Sequence, residues 1–149
     1  MKMRAFIDGA SRGNPGPASV GVVLQDATGA VLKEHGRTLG TATNNVAEYT
    51  AFLDALRLAK AMGADELLVH SDSQLLVRQV SGEYRVKNAA LQALKAQAQG
   101  LMRSFKAVRL VHVPREQNKD ADRMANAALD GTVSDLGPDL APGGQGLLF

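Results

Sequence analysis

The chain is 149 residues long, room for one domain and little more, and its 45% hydrophobic content excludes global disorder. The lack of cysteine excludes disulfides, thiolate catalysis and cysteine-ligated zinc or iron, and it suits a reducing cytoplasm. The formal net charge is only +2, yet residues 78–119 hold nine Lys or Arg against Glu83 and Glu116, a local +7 that leaves −5 for the remainder. Such a split suits a protein that grips phosphates with one region and metal ions with another; it equally fits a solvated helix face.

The first residues, Met1 to Asp8, run straight into strand-like sequence, too short and too polar for a leader peptide. No stretch of about 18 apolar residues marks a membrane span. Residues 3–9 read as a strand, with Ala5 and Ile7 alternating against Arg4, Phe6 and Asp8. Ser11 to Pro17 is dense turn chemistry. Residues 19–25 and 30–39 read as two more strands around the turn Asp26-Ala27-Thr28-Gly29, which makes an antiparallel meander. The period then changes. Val46, Tyr49, Phe52, Leu53, Leu56 and Ala59 recur at helical spacing, so residues 45–62 form an amphipathic helix, with Asn45 as N-cap and Gly63 as its stop. Residues 66–71 read as a strand, 73–80 as a short helix, 88–104 as a longer one, 106–113 as a fifth strand and 119–129 as a last helix.

This order predicts an α/β fold. The sheet is mixed and five-stranded, three antiparallel strands followed by parallel crossovers, with helices on both faces. Residues 1–130 make the domain. From Gly131 to Gly146 there are five Gly and two Pro and no hydrophobic period, so residues 131–149 read as a flexible tail.

Four carboxylates stand at informative places: Asp8 in the first strand, Glu48 in the first turn of the long helix, Asp72 just after the fourth strand and Asp122 in the last helix. If strands one and four pair, Asp8 and Asp72 meet where site residues collect in open α/β sheets. Each also has a plain structural explanation. Glu48 suits a capping box with Asn45, Asp72 an N-cap, and Asp122 the positive end of its helix. Asp8 is the hardest to dismiss, because a carboxylate in a central strand is costly without a partner. Clustered carboxylates repel, and bound cations make the cluster tolerable. Oxygen-only ligands suit Mg²⁺ or Mn²⁺, and a pair of such ions ~3.5–4 Å apart serves in-line phosphodiester cleavage. His35, His70 and His112 are too scattered for a zinc site, and no serine sits in a nucleophile-elbow motif.

Four motifs in order carry a family resemblance over residues 3–130. Ile7-Asp8-Gly9-Ala10-Ser11-Arg12-Gly13-Asn14-Pro15-Gly16-Pro17 resembles the first-strand signature of type 1 ribonuclease H. Thr43-Asn44-Asn45-Val46-Ala47-Glu48 resembles the opening of its long helix, Ser71-Asp72-Ser73-Gln74 its third motif and Asn118-Lys119-Asp120-Ala121-Asp122 its fourth. The resemblance implies a ribonuclease H-like fold and an endonuclease that cuts the RNA strand of RNA–DNA hybrids with two Mg²⁺, leaving 5′-phosphate and 3′-hydroxyl ends. It implies metal-ligand roles for Asp8, Glu48, Asp72 and Asp122. Gly9, Ser11, Asn14, Asn44, Asn45 and Gln74 then belong to the substrate surface, with Asn14, Asn44 and Gln74 meeting the 2′-hydroxyl side of the minor groove. Thr43 matches a DNA-phosphate contact.

Two departures place the chain with the compact, archaeal-like branch. Gly82 to Asn88 runs almost directly into the next helix, so the basic protrusion of the best-known bacterial form is missing, and Arg85, Lys87 and Lys95 are candidate replacements. Tyr84 beside them suits half-buried packing better than stacking on DNA. The loop that carries a mobile histidine in that form is replaced by Val113-Pro114-Arg115-Glu116-Gln117-Asn118. Arg115 is favoured over His112 as its substitute, a charged phosphate holder rather than a base. In the tail, Gln145, Leu148 and Phe149 resemble the bacterial sliding-clamp-binding peptide, with Gly146 replacing its usual Leu. The implied partners are the hybrid and this clamp; the chain is expected to be a cytoplasmic monomer. A resolvase or 3′–5′ exonuclease of the same fold class, and a non-cutting hybrid-binding module, are the alternatives.

Overall fold

A computed structural model describes residues 1–131. The elements run β1 (Lys2–Ser11), β2 (Gly16–Asp26), β3 (Val31–Ala42), α1 (Asn44–Ala61), β4 (Glu66–Ser71), α2 (Gln74–Val80), α3 (Ala89–Met102), β5 (Ala107–His112), a 3₁₀ turn (Arg115–Gln117) and α4 (Lys119–Asp130). The five strands form one sheet in the order β3-β2-β1-β4-β5. The β1–β2 and β2–β3 pairs are antiparallel, and β1–β4 and β4–β5 are parallel. This is the expected mixed sheet, with β1 at the seam between its two halves.

Helices cover both faces. Ala5 and Ile7 of β1 and Val20, Val22 and Leu24 of β2 are buried in one cluster with Tyr49, Phe52, Leu56 and Ala59 of α1. Ala98 of α3 and Phe105 close that cluster from beyond α1. The other face of β2 meets α4, and two glycines make the approach possible. A Cβ on Gly21 would lie 2.2 Å from Ala121 O, and one on Gly36 would lie 2.9 Å from Met124 O. Without those side chains the backbone of α4 lies directly on the sheet.

The termini of the elements differ in instructive ways from the sequence expectation. Thr43, not Asn45, caps α1; its Oγ1 accepts from Val46 N–H at 3.2 Å. Asn45 lies inside the helix, so Glu48 is not in a capping box. Ser73, not Asp72, caps α2, accepting from Leu76 N–H at 3.1 Å. That leaves the Asp72 carboxylate for other work. β1 runs on to Ser11 and β3 to Ala42, well beyond their expected ends. Ladder pairing of Ser11 with Ala18 and of Gly16 with Ala42 draws the ends of the Ser11 to Pro17 turn into the sheet.

One buried ionic cluster lies away from the sheet's C-terminal edge. Asp54 of α1 accepts from Arg37 Nε at 2.7 Å and Nη2 at 2.9 Å, and its Oδ2 lies 2.9 Å from His35 Nε2. Burial pushes the Asp54 carboxyl up, but the His35 and Arg37 contacts outweigh it and hold the group below its ordinary range. Among the described residues, no helix is long and apolar enough to cross a membrane. The tail expected beyond Gly131, including Gln145, Leu148 and Phe149, lies outside the described residues.

Candidate active site

Strand β1 and strand β4 run parallel, with Ile7 beside Ser71. Asp8 and Asp72 therefore emerge together at the same end of the sheet. Helix α1 passes over that end, and Glu48 points down to it from the helix's second turn. The helix can come so close because residue 9 is glycine: a Cβ there would lie 2.3 Å from Ala47 C and 2.4 Å from Glu48 N. Gly9 N–H donates to Glu48 Oε1 at 2.8 Å. Asp8, Glu48 and Asp72 each offer a carboxylate oxygen, all within 4.8 Å of one another.

Asp122 reaches the cluster from the first turn of α4. Its carboxyl stands close enough to push the Asp8 carboxyl up, and both line one cleft. Asn126, one helical turn later, donates from Nδ2 to Asp122 O at 3.0 Å and to Asp122 Oδ1 at 3.3 Å. Together these groups line an open cleft of about 420 Å³, whose wall also holds Arg115, Arg12, Ser11 and Asn44.

The electrostatics follow from the crowding. Burial comes first and raises Asp8; Glu48, Asp72 and Asp122 raise it further, to about 9. Burial likewise pushes Glu48 up to about 8, with Asp72 adding to it and the Gly9 N–H opposing it. Without a counter-charge, Asp8 and Glu48 therefore hold their protons well above the ordinary carboxylate range. The donor set is all oxygen, close and repelling, so it fits a hard divalent cation.

The residues expected at a substrate surface divide into two groups. Asn14 and Asn44 come together: Asn14 Oδ1 accepts from Asn44 N–H at 3.0 Å. Gln74 opens α2, two residues after Asp72, and is exposed. Ser11 Oγ donates to Ala42 O at 2.8 Å and ties the end of β1 to β3. Thr43 is engaged as the α1 cap. Asn45 turns inward, where its Nδ2 donates to Gln79 Oε1 at 3.3 Å; Tyr49 Oη donates to the same oxygen at 3.1 Å.

Arg115 lines the cleft on the 3₁₀ turn, whereas His112 ends β5 and is not among the lining residues. Tyr84 is 42% exposed, with the Arg78 guanidinium 5.3 Å from its ring centre and Arg78 Nη1 3.0 Å from Glu83. Sequence reasoning missed Asn126 and Arg12. Asn126 had a legible signal, since it stands four residues after Asp122 on one helix face. Arg12 had none: its partner Asp130, at 2.7 Å, comes from the far end of the described chain.

The reverse transcriptase-like family matches residues 6–128. Ribonuclease HI of Halobacterium salinarum is 43% identical over 129 residues, covering 87% of this chain and 65% of that protein. The bifunctional protein Rv2228c of Mycobacterium tuberculosis is 43% identical over 143 residues, covering 95% of this chain and 39% of that protein. The chain thus spans less than two thirds of the length of these curated relatives. Among solved structures, the ribonuclease H1 of H. salinarum superposes with a TM-score of 0.86 at 43% identity, covering 88% of this chain and 99% of that one. LC11-RNase H1, solved in complex with an RNA/DNA hybrid, gives 0.83 at 39% identity, with 89% and 99% covered. With the carboxylates, the sheet order and the match over residues 6–128 in agreement, the chain belongs to the reverse transcriptase-like family, on its type 1 ribonuclease H branch.

Proposed function

We propose that the protein is an endonuclease that hydrolyses the RNA strand of RNA–DNA hybrids, leaving 5′-phosphate and 3′-hydroxyl ends. The observation that carries this reading is the convergence of Asp8, Glu48 and Asp72 within 4.8 Å, with Asp122 against Asp8. Four carboxylates so placed repel, and neither packing nor capping explains them. The hybrid in the LC11-RNase H1 complex supports the choice of substrate.

Asp8, Glu48, Asp72 and Asp122 would hold two Mg²⁺, with Mn²⁺ as a substitute. When bound, such cations lower the pKa of an attacking water and offset charge at the scissile phosphate. The chain's own residues do the rest. Gly9 N–H fixes which Glu48 oxygen faces the site. Asn126 holds Asp122. Arg115, always charged, binds the phosphate but cannot serve as a base. Asn14, Asn44 and Gln74 read 2′-hydroxyls by donating and accepting from the same amide. Thr43 donates toward a DNA phosphate while its oxygen caps α1. Asn45 supports this surface from below through Gln79.

All four carboxylates come from one chain, so a monomer suffices, and a hybrid substrate places the work in the cytoplasm. Residues 1–130 are the catalytic domain. Gln145, Leu148 and Phe149, outside the described residues, dock on the sliding clamp. The test is cleavage of a labelled RNA–DNA duplex with Mg²⁺, beside all-DNA and all-RNA duplexes, for wild type and Asp72→Asn. Cutting of the hybrid alone, lost in the variant, is expected. A wild type that is silent with both Mg²⁺ and Mn²⁺ but still binds hybrid would favour a non-cutting binding module.

A further inference from the structure

Asn118 is 1% exposed and stands where α4 begins, yet its side chain makes no capping bond. Instead Nδ2 donates to Ile7 O at 2.8 Å, across 111 residues of sequence. Ile7 is the residue before Asp8. The backbone of Asn118 makes two further bonds. Its carbonyl accepts from Asp122 N–H at 3.1 Å, and its N–H donates to Arg115 O at 2.9 Å. Three bonds from one residue thus reach the strand that carries Asp8, the turn that carries Asp122 and the turn that carries Arg115.

The remaining atom is telling. Asn118 Oδ1 is buried with no hydrogen-bond partner among the described residues. A buried acceptor without a donor is destabilising. An asparagine that served only to start a helix would turn its oxygen to the helix N–H groups, as Asn88 does for Leu91 N–H at the start of α3. The donor at Nδ2 is therefore the function that this position serves. Reversing the amide would set Oδ1 against Ile7 O, so the orientation is fixed.

We infer that Asn118 is a positioning residue: it sets the separation of Asp8 and Asp122, and with it the affinity of the carboxylate cluster for divalent cations. The inference rests on the metal-dependent reading above. Asp8 sits on the sheet and Asp122 on a helix laid across it, and these two parts can slide. Hydrogen bonds between a strand and a helix start resist that sliding, which is how outer residues tune a metal site.

The test compares wild type with Asn118→Leu, which keeps the forked outline of the side chain and removes both the donor and the unpaired acceptor. Mn²⁺ affinity is measured by calorimetry, thermal unfolding with EDTA, and hybrid cleavage against Mg²⁺ concentration. Positioning predicts Mn²⁺ binding at least tenfold weaker, a matching rise in the Mg²⁺ needed for half-maximal rate, and KM for hybrid within twofold. An equally folded variant with unchanged Mn²⁺ affinity overturns it. Should the variant not fold, NMR of the wild type decides. Mg²⁺ titration should shift the Asn118 side-chain amide protons together with the Gly9 N–H. Gly9 shifting while Asn118 stays still overturns the positioning role. Neither shifting, with no Mn²⁺ binding by wild type, sinks the metal-dependent reading instead.

Discussion

Gly9 donates its backbone N–H to Glu48 Oε1 at 2.8 Å, and the same glycine has no room for a side chain, because a Cβ would lie 2.4 Å from Glu48 N. One position thus sets both how near α1 comes to β1 and where the Glu48 carboxylate points. The atoms in the way belong to the helix backbone, so they cannot turn aside. Gly9→Ala should destabilise the domain by about 1–3 kcal/mol, the usual cost of overpacking, and should cut the rate at least tenfold by moving Glu48. Urea unfolding and hybrid cleavage measure the two effects. Unchanged cleavage would show that α1 can shift without carrying Glu48 away.

The carboxylate cluster makes metal-free stability depend on pH. Asp8 and Glu48 are raised from ordinary values of 3.8 and 4.5 to about 9 and about 8. Between those values the folded state keeps protons that the unfolded chain has released. The stability this provides is full below the ordinary values and is lost as pH rises, until both groups ionise in the fold. In EDTA, Tm should therefore fall from pH 5 to pH 9. Mg²⁺ replaces the protons, so its stabilising effect should grow over the same range. Asp8→Asn should flatten the metal-free slope and abolish cleavage. A metal-free Tm that rises with pH would contradict the crowding.

Asp54 offers a contrast, because its ionic cluster with His35 and Arg37 lies outside the cleft. Asp54→Ala removes one member of a buried charge pair and should cost about 3 kcal/mol, the low end for such losses because Arg37 is partly in solvent. Its lowered carboxyl contributes stability above its ordinary range that is lost as pH falls through the folded value, so the variant should lose that part of the acid-side dependence. The Mg²⁺ concentration for half-maximal cleavage should stay the same. A large change in that concentration would tie this cluster to the site.

Deleting residues 145–149 should abolish capture by a bacterial sliding clamp and leave hybrid hydrolysis at the wild-type rate. Pull-down with and without the deletion, beside the cleavage assay, checks both halves. Equal capture of the two forms would remove the clamp from the proposal.

The parts of the fold governed by local periodicity were legible in the sequence. The spacing of Tyr49, Phe52 and Leu56 gave α1, and the meander followed from short turns between alternating strands. Strand ends were less legible, because ladder partners across the turn, Ala18 for Ser11 and Gly16 for Ala42, carry β1 and β3 into turn-like sequence. The cap of α1 was misplaced from Thr43 to Asn45 because both residue types cap well, and only the backbone decides between them. In the site, the carboxylates stood out as misplaced charges. Asn118 did not, although it lay inside a recognised motif: its partner Ile7 contributes only a carbonyl, which leaves no trace in residue identity.

The seating of α4 on Gly21 and Gly36 has a consequence for synthesis. Asp8 leaves the ribosome more than a hundred residues before the helix that brings Asp122 to it, as the span from Ile7 to Asn118 measures. Until α4 has emerged, the glycine track on the sheet is bare and the carboxylate set is incomplete. A chain still being translated beside its own messenger therefore carries an unfinished set of carboxylates, and the proposed ability to cut would arrive only when the sheet has been covered.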